Sequence, residues 1–257
     1  MSASRRSAWI GVTLLVLLAV ATTVRAGDFL QEQLTFPRVR AAKAETDSVL
    51  RAMCTARHLH YPPREVFLRA FKREGILEIW ARDSVAAPFT LLTDYAICQR
   101  SGELGPKRRE GDKQVPEGFY TINIYNPVSD YHLSLGVSYP NASDSLLGNK
   151  PKLGGDIMIH GDCVTIGCIP ITDPCIRQVY WLVIQVHDAG MAQIPVHIFP
   201  CRMDEAGMEY LAGERPGDLA TQAFWKTLEP GFAAFQRTRM LPVIGVDAHG
   251  AYTVRGR

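Results

Sequence analysis

The sequence predicts a mostly β, α+β fold that closes with a helical extension. Three observations predict it. From residue 66 to residue 137, apolar and aromatic residues come in strand-length runs broken by Pro, Gly and Asn. The run Ile157-Met158-Ile159 then ends in His160-Gly161, as a buried strand opening onto a cleft would. From Arg202 onward, Met, Leu, Trp and Phe recur at helical spacing instead. The 257 residues are 47% hydrophobic and 21% charged, which is the composition of a globular chain with a substantial core. A formal net charge of +2, with the basic residues scattered, argues against nucleic acid as a partner.

Taken in order, the chain starts with Arg5 and Arg6, an uncharged stretch over residues 8–24, and Val24-Arg25-Ala26. A basic start, an apolar run and a small-x-small-like site predict a secretory signal over residues 1–26, cleaved after Ala26. Seventeen uncharged residues also reach the lower limit of a spanning helix, so an uncleaved segment would be an anchor and the one link to a membrane. Either outcome exports the body of the protein. Residues 27–60 read as a helical lead-in, with Val39, Ala42, Val49, Leu50 and Met53 on one face, stopped by Pro62-Pro63. Strands follow over 66–71 and 76–80, joined around Glu74-Gly75, and a third over 89–97.

Residues 99–118 lack periodicity and hold four glycines and two prolines, a loop long enough to suggest function. Its cations, Lys107 and Arg109 among them, either face a carboxylate-bearing substrate or simply solvate the loop. Strands are expected over 119–125 and 131–137, and turns over 138–155. Asp173-Pro174 opens a helix, with Asp173 as N-cap, that ends at Gly190. A short strand over 195–200, helices over 203–212 and 219–238, and a hairpin pairing 243–246 with 251–254 complete the chain. Residues 66–199 form the expected catalytic domain and 200–257 the extension.

The chemistry concentrates at Ile159-His160-Gly161 and Thr165-Ile166-Gly167-Cys168. A histidine ending a strand and a thiol eight residues later can meet as base and nucleophile across a tight loop. Gly167 permits a sharp turn, so that neighbouring amides can face a developing oxyanion. A cysteine is also at home as a small buried apolar residue, and a strand histidine as a satisfied core group. The flanking glycines favour the cleft. His132 reads as a structural hydrogen-bonder, and Asp173 as a cap ahead of a partner for the histidine.

Six cysteines in an exported chain imply disulfides. If Cys168 stays reduced, Cys54, Cys98, Cys163, Cys175 and Cys201 remain. Cys163 with Cys175 is one possible pairing, and the connectivity stays open. His160, Cys163, Cys168 and Cys175 also have the count of a zinc site, although no C-x-x-C knuckle is present. A zinc or redox module is therefore the alternative of another class.

The motif residues resemble the YkuD-like L,D-transpeptidase catalytic domain family, in its YafK-like murein branch. That family pairs a histidine in I-H-G with a later S/T-x-G-C. Further similar stretches are Gly105-Pro106-Lys107 through Asp112 to Tyr120, Tyr131-His132-Leu133-Ser134-Leu135, and Tyr139-Pro140-Asn141. The resemblance spans residues 60–245. Ile166 stands where the broad family usually has histidine, Pro170 where it usually has arginine, and the His-to-Cys spacing is shorter than in most members.

The resemblance implies a β-sandwich catalytic domain with Cys168 as nucleophile, His160 as proton donor and acceptor, and the Gly167 backbone at the oxyanion. Lys107, Arg109 and Tyr131 are the expected substrate contacts, and neither metal nor cofactor is required. The substrate implied is a peptidoglycan stem peptide in a Gram-negative periplasm, acylated at its diamino acid and passed to an amine. Transfer to water, releasing a peptidoglycan-attached lipoprotein, is the alternative at the same site. A non-catalytic peptidoglycan-binding module is the remaining one.

Overall fold

The computed structural model describes residues 27–255, so the expected signal or anchor lies outside the described residues. The chain enters through helices α1 (Asp28–Gln33) and α2 (Pro37–Thr55). Pro37 starts α2, where a missing N–H costs nothing, and Val39, Ala42, Thr46, Leu50 and Cys54 form its buried stripe. An antiparallel meander follows: β1 (Glu65–Phe71), β2 (Ile76–Arg82) and β3 (Thr90–Ala96). After the long loop come β4 (Gly118–Asn126), β5 (Ser134–Val137), α3 (Ala142–Leu147), β6 (Met158–His160) and β7 (Ile169–Pro170). Helix α4 (Asp173–Asp188) leads to β8 (Pro195–Phe199), and α5 (Glu205–Glu214), α6 (Leu219–Thr238), β9 (Val243–Val246) and β10 (Tyr252–Arg255) close the chain.

The first eight strands form one curled sheet in the order β3-β2-β1-β8-β4-β5-β6-β7, and β9 and β10 pair as a separate hairpin. β8 runs parallel to β1 and antiparallel to β4, so the last strand to enter this sheet joins its two halves. The fold is α+β, as the sequence predicts, with helices over both faces of the sheet.

Alternation along the strands assigns those faces. Val66, Leu68 and Ala70 of β1 share a core with Val196 and Ile198 of β8 and with the apolar residues of α2 and α4. Phe67, Arg69 and Phe71 point the other way, as period 2 requires. There Phe71 and Phe199 pack with Trp225, Leu228 and Phe232 of α6, while Phe67 and Trp80 pack with Phe235. Burial on both faces is why β1 and β2 read as continuous rather than alternating apolar runs. The fully buried Arg69 guanidinium sits among the rings of Phe71, Trp80, Phe232 and Phe235. Glu78 compensates it at 2.7 Å, and Glu78 also accepts from Trp80 Nε1 and from Arg202. The helical extension thus packs on the back of the sheet.

Two expectations shift. The strand expected over 131–137 begins at Ser134, because His132 takes a positive φ of 70° and keeps the preceding residues in a turn. Residues 138–155, expected as turns, contain α3. Its signal is Asn141 followed by Asp144, which form a reciprocal capping box.

Candidate active site

The register of two short strands defines the site. β6 and β7 run parallel with Ile159 opposite Ile169 and His160 opposite Pro170. One residue earlier on both strands, Cys168 stands beside Met158. Neighbours in register share a face, so Met158, His160 and Cys168 point one way and the buried Ile159 and Ile169 the other. His160 is therefore the diagonal neighbour of Cys168 on that face.

The imidazole is buried, and its Nδ1 hydrogen-bonds Gly161 O. A carbonyl only accepts, so Nδ1 carries the proton and Nε2 keeps its lone pair. Tyr131 lies against the ring, 4.7 Å between centroids. Burial is the main reason the His160 pKa falls below the usual histidine value. The Cys168 thiol donates to Asp156 O at 3.5 Å. Burial pushes this thiol up, against a smaller downward pull from the Met158 backbone and the Lys107 ammonium. At rest both groups are neutral.

That assignment fixes the sign of a pH dependence. Because the thiol pKa is raised above 9.0, its thiolate grows only as the pH passes that value. Alkylation of Cys168 by iodoacetamide, followed by peptide mass mapping, is expected to rise about tenfold per pH unit from 6 to 9. A plateau already reached at pH 6–7 would instead reveal a standing thiolate–imidazolium pair.

Thr165 holds the loop that carries Cys168. Its Oγ1 accepts from Cys168 N at 2.7 Å and Gly167 N at 3.2 Å, and donates to Cys168 O at 3.0 Å. In this structure the Gly167 and Cys168 amides are both bound to one hydroxyl. Gly167 has φ 138°, and a Cβ there would come within 3.2 Å of Gln114 O, so the long loop packs directly on the cysteine turn. Gly161 is tighter still. A Cβ would meet Asp173 Oδ1 at 2.4 Å.

The cysteines pair otherwise than as Cys163 with Cys175. Cys98 bonds Cys163 across 65 positions, with Cα atoms 5.6 Å apart, and Cys175 is free. Cys98 N donates to Pro170 O at 3.0 Å, which brings the end of β3 alongside β7 and sets the sulfurs in reach. The disulfide removes Cys163 from the four-ligand zinc set. Asp173 does not cap α4 with its side chain. It accepts from Asp162 N at 2.8 Å and stands 3.8 Å from His132 Nδ1. His132 Nε2 accepts from Arg177 Nε at 2.8 Å and its carbonyl from Arg38, a structural role.

Of the expected substrate contacts, Tyr131 lies on His160. Lys107 is buried beneath the loop, its ammonium bound to Asp112 Oδ1 at 2.6 Å and Arg109 O at 2.9 Å. Its charge is neutralised there, while Arg109 is exposed. Asp112 explains the segment: it also accepts from the amides of Arg108, Arg109 and Gln114. Cys168 itself borders a cavity of about 330 Å³, shared with Arg73, Arg100, Val115, Ile169 and Tyr210. The two arginines were not among the expected site residues. Their turn-and-loop positions carry no periodic signal.

No family profile matches the chain. It is 36% identical over 191 residues to the "Putative L,D-transpeptidase YafK" of Escherichia coli K12, covering 74% of this chain and 73% of that one, and the O157:H7 counterpart gives the same figures. The chain belongs to the L,D-transpeptidase family, a family of peptidoglycan-modifying enzymes. Among solved structures it is similar to Pgp2, the helical cell shape determining protein of Campylobacter jejuni, with TM-score 0.44, 18% identity and coverage of 71% of this chain and 73% of that one. Bd1075 of Bdellovibrio bacteriovorus gives TM-score 0.40, 17% identity and coverage of 71% and 77%.

Proposed function

We propose that the protein is an exported cysteine acyltransferase that acts on peptidoglycan stem peptides through a thioester on Cys168. The observation that supports this most is the β6–β7 register, which turns His160 and Cys168 to one face while Gly161 O holds the imidazole with Nε2 unprotonated.

Reaction begins when the thiol leaves Asp156 O and turns to Nε2. His160 takes the proton as Sγ attacks the carbonyl of the diamino acid. The carbonyl π pair moves to oxygen. For the Gly167 and Cys168 amides to donate to that oxyanion, the Thr165 hydroxyl must release them; each donor is worth about 3 kcal/mol in such sites. Collapse restores the carbonyl and breaks the C–N bond, and His160 returns its proton to the departing amine. The thioester then passes to an amine or to water, which gives its proton to His160 in turn. Amine gives cross-linking or protein attachment, and water gives hydrolysis, including release of an attached lipoprotein.

The test is incubation of the mature protein with a carbapenem-type β-lactam and, separately, with purified sacculi. One adduct mapped to the Cys168 peptide is expected, and the muropeptides formed identify the acceptor. Neither adduct nor turnover from folded protein with a reduced Cys168 would remove the catalytic reading.

A further inference from the structure

Cys168 shares its cavity with two arginines that no acidic side chain neutralises. Arg73 lies in the β1–β2 turn and Arg100 follows β3, and both line the cavity of about 330 Å³. Among the described residues neither guanidinium has a hydrogen-bonded or ion-paired acceptor. Their positions are nonetheless supported. Arg73 stacks on the Tyr210 ring of α5, 3.6 Å from its centroid. Arg100 lies over the backbone at Gly75, where an added Cβ would come within 2.7 Å of its Nη2.

Of the remaining charges on this wall, Lys72 is bound to Glu117 at 2.9 Å, and Glu103 to Arg215 at 2.5 Å. Glu214 lines the same cavity without an ion pair among the described residues. The unpaired charge facing the cavity is therefore two guanidinium groups against the single carboxylate of Glu214, a net positive balance. A pocket of this size takes a small ligand segment, and a guanidinium fork is shaped for a carboxylate.

We propose that Arg73 and Arg100 form a carboxylate-recognition subsite beside Cys168, with α5 of the C-terminal extension as its outer wall. This rests on the reading of Cys168 as the acylating thiol for a stem peptide. Such a peptide brings the free carboxylate of the departing residue near the attacked carbonyl, and a stem built on a diamino diacid brings a second on that residue. Both present the same chemistry to the arginines. The subsite also gives residues 200–257 a part in the site, since Tyr210 sets the direction of Arg73.

The test uses the Cys168→Ala protein, which binds without turnover. It is titrated calorimetrically with a stem tetrapeptide, with its C-terminal amide, and with the peptide amidated at the diamino acid. One of the two amidations is expected to weaken binding about tenfold or more, and identifies the carboxylate held. Arg73→Gln and Arg100→Gln in the same background are expected to weaken the acid form to the level of that amide and to leave the amide unchanged. Arg→Lys at either position is expected to restore part of the preference. Equal binding of acid and amides, equal losses for all peptides in the arginine variants, or no peptide binding would overturn the subsite. Failure of the acyl-transfer reading looks different: the preference for a carboxylate persists, but wild type forms no adduct on Cys168.

Discussion

Cys168→Ala is expected to abolish both the β-lactam adduct and turnover of sacculi, whereas His160→Gln leaves acylation slowed by about 10²–10⁴-fold. Cys168 is the one thiol on the cavity wall among the described residues. The buried free thiols of Cys54 and Cys201 are pushed up to about 11 and about 12 by burial, so neither substitutes for it. Glutamine at 160 keeps an amide for Gly161 O but offers no basic nitrogen. The variant must then wait for thiolate formed by solvent. Its acylation rate is expected to climb with pH through the raised thiol pKa, while wild type, with a base in place, loses less on going down to neutrality. Stopped-flow acylation across pH 6–10, with thermal unfolding as the folding control, checks both. A His160→Gln protein that matches wild type at pH 7 would take the histidine out of the mechanism.

The placing of His160 beside Cys168 is legible in sequence because its geometry is local. A strand of three residues, Gly161 after the histidine, Gly167 before the cysteine and an eight-residue separation set the faces of His160 and Cys168 once β6 and β7 pair. The doubly buried strands are legible for a similar reason, since β1 and β2 spell out their burial residue by residue. The features that escape are those created by long-range closure. The Cys98–Cys163 bond depends on β3 ending beside β7, at opposite ends of the strand order in sequence terms but tied through Pro170 O. Lys107 reads as a surface cation because nothing in its neighbours announces that Asp112 folds back to bind it. Arg73, Arg100 and Tyr210 come from three separated segments, and only the docking of α5 makes them one wall. Local pattern reports which face a residue takes, and tertiary closure decides which charges are left unpaired.

The same closure makes Glu117 the expected weak point of the fold. Glu117→Ala is expected to cost about 3–5 kcal/mol of stability, the usual penalty for breaking a buried ion pair from one side. For a domain of this size that lowers the melting temperature by roughly 10 °C. Its carboxylate is fully buried and accepts from Lys72 Nζ at 2.9 Å, Gly105 N at 2.7 Å and Trp225 Nε1 at 2.7 Å. One side chain therefore ties β1's end, the long loop and α6 together. Removing it leaves the Lys72 ammonium, whose pKa burial already lowers, with only the carbonyls of Gly105 and Val115. The loop must open to hydrate the charge, and Gln114 then no longer packs on Gly167 at the cysteine turn. Acylation of Cys168 is accordingly expected to slow along with the loss of stability. Lys72→Met combined with Glu117→Leu is expected to recover most of the stability, because the loss comes from a charge left alone rather than from the pair itself. Denaturant unfolding of both variants decides the matter. A single-variant loss under about 1 kcal/mol, or a double variant no better than the single, would mean the loop is held by its other contacts.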